Sequence, residues 1–147
     1  MTMNTAGLEE VVVVGVGTTS LGLPLDRVHE ITRPLERTPV PRGGDHILGV
    51  VNLRGDIVTL LDLGMILFNR ACTDEKSGRT VIVQDDEERI GLRIDRVGDV
   101  VELPLTSIER LPTHVPDDEA RFFRGVVQRE DGLLLIVDVA AVLALAS

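Results

Sequence analysis

An internal repeat constrains this chain more than any other feature. Leu21-Gly22-Leu23-Pro24-Leu25-Asp26-Arg27-Val28 reads like Ile90-Gly91-Leu92-Arg93-Ile94-Asp95-Arg96-Val97. Farther on, Gly49-Val50-Val51, leading through Leu60-Leu61-Asp62-Leu63 to Ile66-Leu67, reads like Gly125-Val126-Val127, leading through Ile136-Val137-Asp138-Val139 to Val142-Leu143. Spacing inside this second pair of segments is identical, and a Val/Ile run precedes each half, at residues 11–14 and 81–83. Order and spacing kept across separated segments imply one small β unit occurring twice. A unit of about 60 residues buries only a modest core. The two units are therefore expected to pack together, and exchange of strands between them is left open.

Composition agrees with a mainly β protein. The apolar 44% of the 147 residues is carried by Val, Leu and Ile in short bursts, with three Phe and no Trp or Tyr. β-Branched side chains are stiff at χ1 and suit a pleated, half-buried surface. The formal charge of −9 repels phosphate backbones and anionic lipid, and few aromatics are present to stack on bases, so no nucleic-acid partner is expected. Direct membrane insertion is not expected either. The longest apolar stretch, residues 132–146, is interrupted by Asp138 and falls short of the roughly 20 residues a spanning helix needs. The first ten residues are polar and end in two acids, unlike a signal peptide, and the single Cys72 has no internal disulfide partner, which together suggest the cytoplasm.

Punctuation residues locate the elements. Strands are expected over residues 9–16 and 20–25, joined at Gly17-Thr18-Thr19, with Pro24 at a strand end or edge because it cannot donate to a ladder. Residues 26–31 read as one helical turn capped by Asp26, and residues 32–45, rich in Pro and Gly, as loop or short edge strand. Hairpins are expected for residues 49–61 around Arg54-Gly55-Asp56 and for residues 125–137 around Asp131-Gly132, with similar turns. Asp62 and Asp138 then cap short helices at residues 63–68 and 139–145, each carboxylate accepting from unpaired first-turn amides. Residues 71–79 form a polar hinge. Further strands are expected over residues 80–84, 89–95 and 97–103, with Asp85-Asp86-Glu87-Glu88 as a solvated turn and residues 112–120 as loop.

The catalytic inventory is empty. His29, His46 and His114 are isolated, no second cysteine completes a zinc site, and the acidic run lacks the alternating ligands and central Gly of a calcium loop. Gly15-Val16-Gly17-Thr18-Thr19 has no phosphate-loop Lys and no helix after it. No metal, cofactor or catalytic residue is expected, which turns attention to binding. Glu30 follows the first Asp-Arg-Val segment and Arg54 sits in the first hairpin turn, where the second half carries Glu130. A residue needed only to form the hairpin would recur in both halves. The reversed charge therefore favours Arg54 as a binding group, able to pair with Glu30 or with a partner's carboxylate.

These residues coincide with a family pattern. Ile47-Leu48-Gly49-Val50-Val51-Asn52-Leu53-Arg54-Gly55-Asp56-Ile57-Val58, followed by Leu60-Leu61-Asp62-Leu63, resembles the CheW family of chemotaxis coupling proteins. So do Asp26-Arg27-Val28-His29-Glu30-Ile31, the segment from Ile90 to Val100, and Leu134-Leu135-Ile136-Val137-Asp138-Val139. The resemblance runs from about Leu8 to Leu145 and departs from the family at Thr59, where many members have Pro, at Gly64, where a basic residue is common, and in lacking an aromatic in the first strand.

The resemblance implies two packed SH3-like five-stranded β-barrels with short helices. They form one domain of residues 8–145, with halves at about 8–70 and 79–145, after a flexible N-terminus of residues 1–7. It also implies an adaptor without catalysis that bridges the cytoplasmic tip of a chemoreceptor and the regulatory domain of a CheA-like histidine kinase. Such a protein is cytoplasmic and recruited to membrane receptor arrays. Carried over by position, Val28, Glu30, Gly49 and Arg54 belong to the receptor-binding face and Val97 to a kinase-facing surface. Asn52, Gly55, Gly91 and Gly98 are motif or turn positions where the backbone bends sharply or neighbours approach closely. Two other functions stay open on the sequence: a CheW-like module of another kinase pathway, such as type IV pilus motility, that binds no chemoreceptor, and a β-barrel that binds a small ligand.

Overall fold

A computed structural model describes residues 7–41, 44–72, 78–85 and 88–145. The expectations placed on residues 1–6, on residues 73–77 of the hinge and on Asp86 and Glu87 of the acidic turn lie outside the described residues. In chain order the elements are β1 (Leu8–Val16), β2 (Thr19–Pro24), β3 (Val28–Thr32), β4 (Ile47–Leu53), β5 (Asp56–Asp62) and α1 (Leu63–Phe68). They continue with β6 (Arg79–Asp85), β7 (Glu88–Ile94), β8 (Arg96–Pro104), α2 (Asp117–Ala120), β9 (Phe123–Arg129), β10 (Gly132–Val137) and α3 (Val139–Ala144).

The strands form two five-stranded sheets, ordered β8-β1-β2-β10-β9 and β3-β6-β7-β5-β4. Each sheet takes two strands from one half of the chain and three from the other. The exchange is reciprocal. It is sealed by two parallel ladders, in which Ile136 of β10 lies opposite Gly22 of β2 and Leu60 of β5 opposite Gly91 of β7. A Cβ on Gly22 would lie 2.9 Å from the Ile136 side chain, and one on Gly91 3.1 Å from that of Leu60. Both glycines therefore make room inside a barrel for the side chain across the ladder.

The largest core lies between the barrels, whereas separate barrel cores would be the simplest reading of a doubled unit. Val12, Val14, Leu21, Leu23, Val137 and Leu135 from one sheet meet Val81, Val83, Ile90, Leu92, Ile94 and Leu61 from the other, with Leu63, Leu67, Val142 and Leu143 of the helices closing the ends. Smaller clusters fill the barrel interiors: Val11, Leu103, Val127, Leu134 and Ile136 in the first, and Val51, Leu53, Val58, Leu60 and Ile82 in the second. Successive residues of β1 and β6 point alternately into a barrel and into the seam. Both faces of these strands are covered, so they read as unbroken Val/Ile runs instead of alternating with polar residues. Each fully buried aliphatic side chain is worth about 1.5–3 kcal/mol, so burial along the seam favours packing of the two sheets on each other.

Three local expectations are corrected. Residues 28–31 are strand, not helix: the 3₁₀ turn covers only Leu25–Arg27, has no side-chain cap from Asp26, and gives way to β3, where β-branched Val28 and Ile31 pair with β6. Residues 117–120, expected as loop, form a helical turn that begins after extended Pro116 and carries Asp117, Asp118 and Glu119 where the helix dipole favours acids. The hairpin turns differ. In the first, Arg54 and Gly55 have φ of 52° and 93°, the mirror-image turn that follows strand twist; in the second, Gly132 has the positive φ. The helix caps are as expected, Asp62 accepting from Met65 N and Asp138 from Ala141 N, both at 3.2 Å.

Candidate functional site

The turn between β4 and β5 lifts Arg54 to the end of the second barrel. A non-glycine residue in the left-handed region is strained, and the Asn52 side chain steadies the turn by accepting from Gly55 N at 2.8 Å. Arg54 donates from both terminal nitrogens to Glu30 on β3, at 2.6 and 2.9 Å. The pair bridges 24 positions of sequence and ties the hairpin to the far edge strand of the same sheet. Hydrogen bonding from the guanidinium holds the Glu30 carboxyl below its ordinary value, and Glu30 in turn raises Arg54. Exposure is unequal, with the Arg54 side chain 73% exposed and Glu30 20%. The guanidinium is thus oriented by Glu30 yet open to solvent on its remaining edge, as recognition of a carboxylate requires.

A second ion pair anchors the other side of the turn: Arg89 of β7 donates to Asp56 at 2.6 Å. Glu30 is also within the field of Arg89 and His29. Nothing in the spacing announces Arg89, because its pairing depends on the parallel β5–β7 register.

Gly49 belongs to the same hairpin but lies buried beneath it. A Cβ there would overlap the carbonyl of Thr38, which bridges to Val50, and its φ of 145° is one that L side chains rarely adopt. Gly125 does the same beneath Glu109, so both glycines admit a crossing segment. Of the motif glycines, Gly55 forms the turn, Gly91 the close approach inside the barrel, and Gly98 lies exposed on β8 beside Val13.

Val28 and Val97 occupy matching places in the two sheets. Val28 on edge strand β3 lies opposite Val83, and Val97 on edge strand β8 opposite Val14; both partners belong to the central core. Three residues on, Ile31 and Val100 are exposed, as is Val97. The seam is therefore flanked by aliphatic edge strands from both barrels. Ile31 and Val100 went unread in the sequence, although the recurrence of Val28-His29-Glu30-Ile31 as Val97-Gly98-Asp99-Val100 is a legible signal. Acid recurs here as Asp99 in the place of Glu30, but Glu130 stands where Arg54 does, so the ion pair occurs in one barrel only.

Cys72 is half-buried. Burial and the Asp62 carboxylate push its thiol up to about 12, and Sγ donates to the carbonyl of Arg93. Among the described residues, no three His, Cys, Asp or Glu gather as a metal ion requires.

A model of the CheW-like domain matches residues 10–147 of this sequence. The chain belongs to the CheW family. It is 30% identical over 137 residues to the chemotaxis protein CheW of Bacillus subtilis, covering 92% of this chain and 86% of that one. Against the chemotaxis protein CheW of Rhizobium meliloti it is 28% identical, covering 94% and 89%. Among solved structures it resembles the scaffolding protein TtCheW of Thermoanaerobacter tengcongensis, with a TM-score of 0.81 at 27% identity and coverage of 89% and 84%. The chain is accordingly a CheW-type chemotaxis scaffold built of two five-stranded β units.

Proposed function

We propose that residues 8–145 act as one non-catalytic adaptor domain in the cytoplasm, recruited to receptor arrays at the membrane. The domain couples the cytoplasmic tip of a chemoreceptor to the regulatory domain of a CheA-like kinase. The exposed, pre-oriented guanidinium of Arg54 carries this reading. Its strained turn and its bond to Glu30 hold a recognition group at a fixed place, and Val28 supplies apolar surface on the same edge strand as Glu30. Gly49 supports the face from beneath by letting the hairpin pack on Thr38. Val97 is assigned to the kinase-facing surface. Its match with Val28 across the seam supports a second reading, in which both valines line one receptor face. Rigid placement of two partners lets a conformational shift in one bias the other.

Binding of purified receptor tip and kinase regulatory domain, measured separately, tests the assignment. Arg54→Glu should abolish receptor binding and spare kinase binding, and Val97→Asp should do the reverse. Receptor binding unchanged by Arg54→Glu would overturn the site. Loss of receptor binding in Val97→Asp, with kinase binding intact, would select the second reading.

A further inference from the structure

We propose that the fold of this chain can be completed by a second copy, the half before the hinge of one molecule pairing with the half after it of another. The strand ladders carry the argument. Among the described residues, the strand ladders within each half are hairpins: β1 with β2 and β4 with β5 before the hinge, β6 with β7 and β9 with β10 after it. Every other ladder joins the two halves, namely β1 with β8, β2 with β10, β3 with β6 and β5 with β7. Among the described residues, β3 and β8 have no strand partner in their own half, and the central core is contributed by both halves. A half by itself leaves two edge strands unpaired and the seam open to water, a state that backbone hydrogen bonding and apolar burial both oppose.

None of these contacts requires the two halves to be covalently continuous. The ion pairs between halves, Asp56 with Arg89 and Glu9 with Arg124, form equally well with an identical half from another molecule. The described residues on either side of the link between the halves, Cys72 and Gly78, both lie beside Arg93: Cys72 donates to its carbonyl and a Cβ on Gly78 would overlap its guanidinium. The connection therefore governs which copy is chosen through effective concentration, on the order of millimolar for a short link, and not through the contacts themselves. Exchange between folded molecules requires parting the central core. The swapped dimer should thus form during folding and then persist.

The test co-refolds two full-length variants in a Cys72→Ser background, one with Glu10→Cys and the other with Glu102→Cys. These positions lie directly opposite each other on β1 and β8, one in each half. The dimer share should be a few per cent after refolding at about 10 µM and about half near 1 mM. It should survive dilution, and oxidation should link the two different chains by a disulfide. Wild-type chain refolded at the same concentrations should give the same dimer share by light scattering. A wild-type chain that stays monomeric near 1 mM overturns the proposal. So does a dimer that forms without the interchain disulfide, because that would be a surface contact between complete folds.

Discussion

Gly22 and Gly91 hold equivalent places in the two exchanged ladders, each opposite an aliphatic side chain, Ile136 or Leu60, that fills the barrel beside it. Substitution by Val forces a branched side chain into this space. Overpacking of this kind costs about 1–3 kcal/mol. Gly22→Val and Gly91→Val should both lower the urea midpoint by comparable amounts. A loss at one site and none at the other would contradict their structural equivalence.

Thr80 points into the second barrel where Val11 points into the first. It is fully buried, and among the described residues its hydroxyl has no hydrogen-bond partner. Thr and Val have nearly the same shape, so Thr80→Val removes an unsatisfied polar group at little packing cost. Leaving such a group buried costs about 1–3 kcal/mol. The variant should be more stable by about 1 kcal/mol in urea unfolding, and a destabilised variant would show that the hydroxyl is satisfied in solution.

Much of this fold was legible because its signals are local. Asp62 and Asp138 announce helix starts, Arg54-Gly55 and Gly132 mark turns, and the Gly22 and Gly91 segments disclose the doubled unit. The exchange of strands was not, since β1 and β6 are equally apolar and nothing within a half says which of them β3 or β8 will pair with. Yet the runs at residues 11–14 and 81–83 held a usable clue: unbroken aliphatic strands are covered on both faces, which requires a core between the barrels. At the site, charge reversal between halves marks Arg54 as a binding group, while its bond to Glu30 is one of two readings open on the sequence and is settled only by the fold. Asp56–Arg89 and Glu9–Arg124 depend on long-range register and carried no such mark.

Cys72 should resist thiol reagents. Its thiol is pushed up to about 12, chiefly by burial and then by the neighbouring Asp62 carboxylate, so little thiolate exists near neutral pH. Native protein at pH 8 should react with a disulfide reagent at least tenfold more slowly than protein in urea, as the loss of thiolate implies. Equal rates would mean that the thiol is exposed.

The Arg54–Glu30 pair sets a pH window. Because the Glu30 carboxyl is held down by its bond to Arg54, the pair is intact at and above the ordinary glutamate value of 4.5 and is lost as pH falls through the lowered folded value. A carbon-detected NMR titration of Glu30 should show a midpoint below 4.5 that rises in Arg54→Ala. An unchanged midpoint in that variant would remove Arg54 as the cause.

Arg54→Gly separates the fold from recognition more cleanly than charge reversal does. At φ of 52° the arginine backbone is strained, whereas glycine adopts that region freely, and Gly55 and Asn52 retain the rest of the turn. Loss of the exposed ion pair works against this gain, but surface pairs contribute little. The variant should therefore melt no earlier than the parent. If Arg54 is the group that meets a partner carboxylate, receptor binding should nevertheless fall by roughly tenfold or more, since a charge-assisted contact is lost. Arg54→Lys should recover only part of the affinity, because an ammonium cannot form the two parallel bonds that a guanidinium offers. A glycine variant that binds like the parent would assign Arg54 to shaping the hairpin, leaving the aliphatic edge strands around Val28 and Val97 to carry recognition.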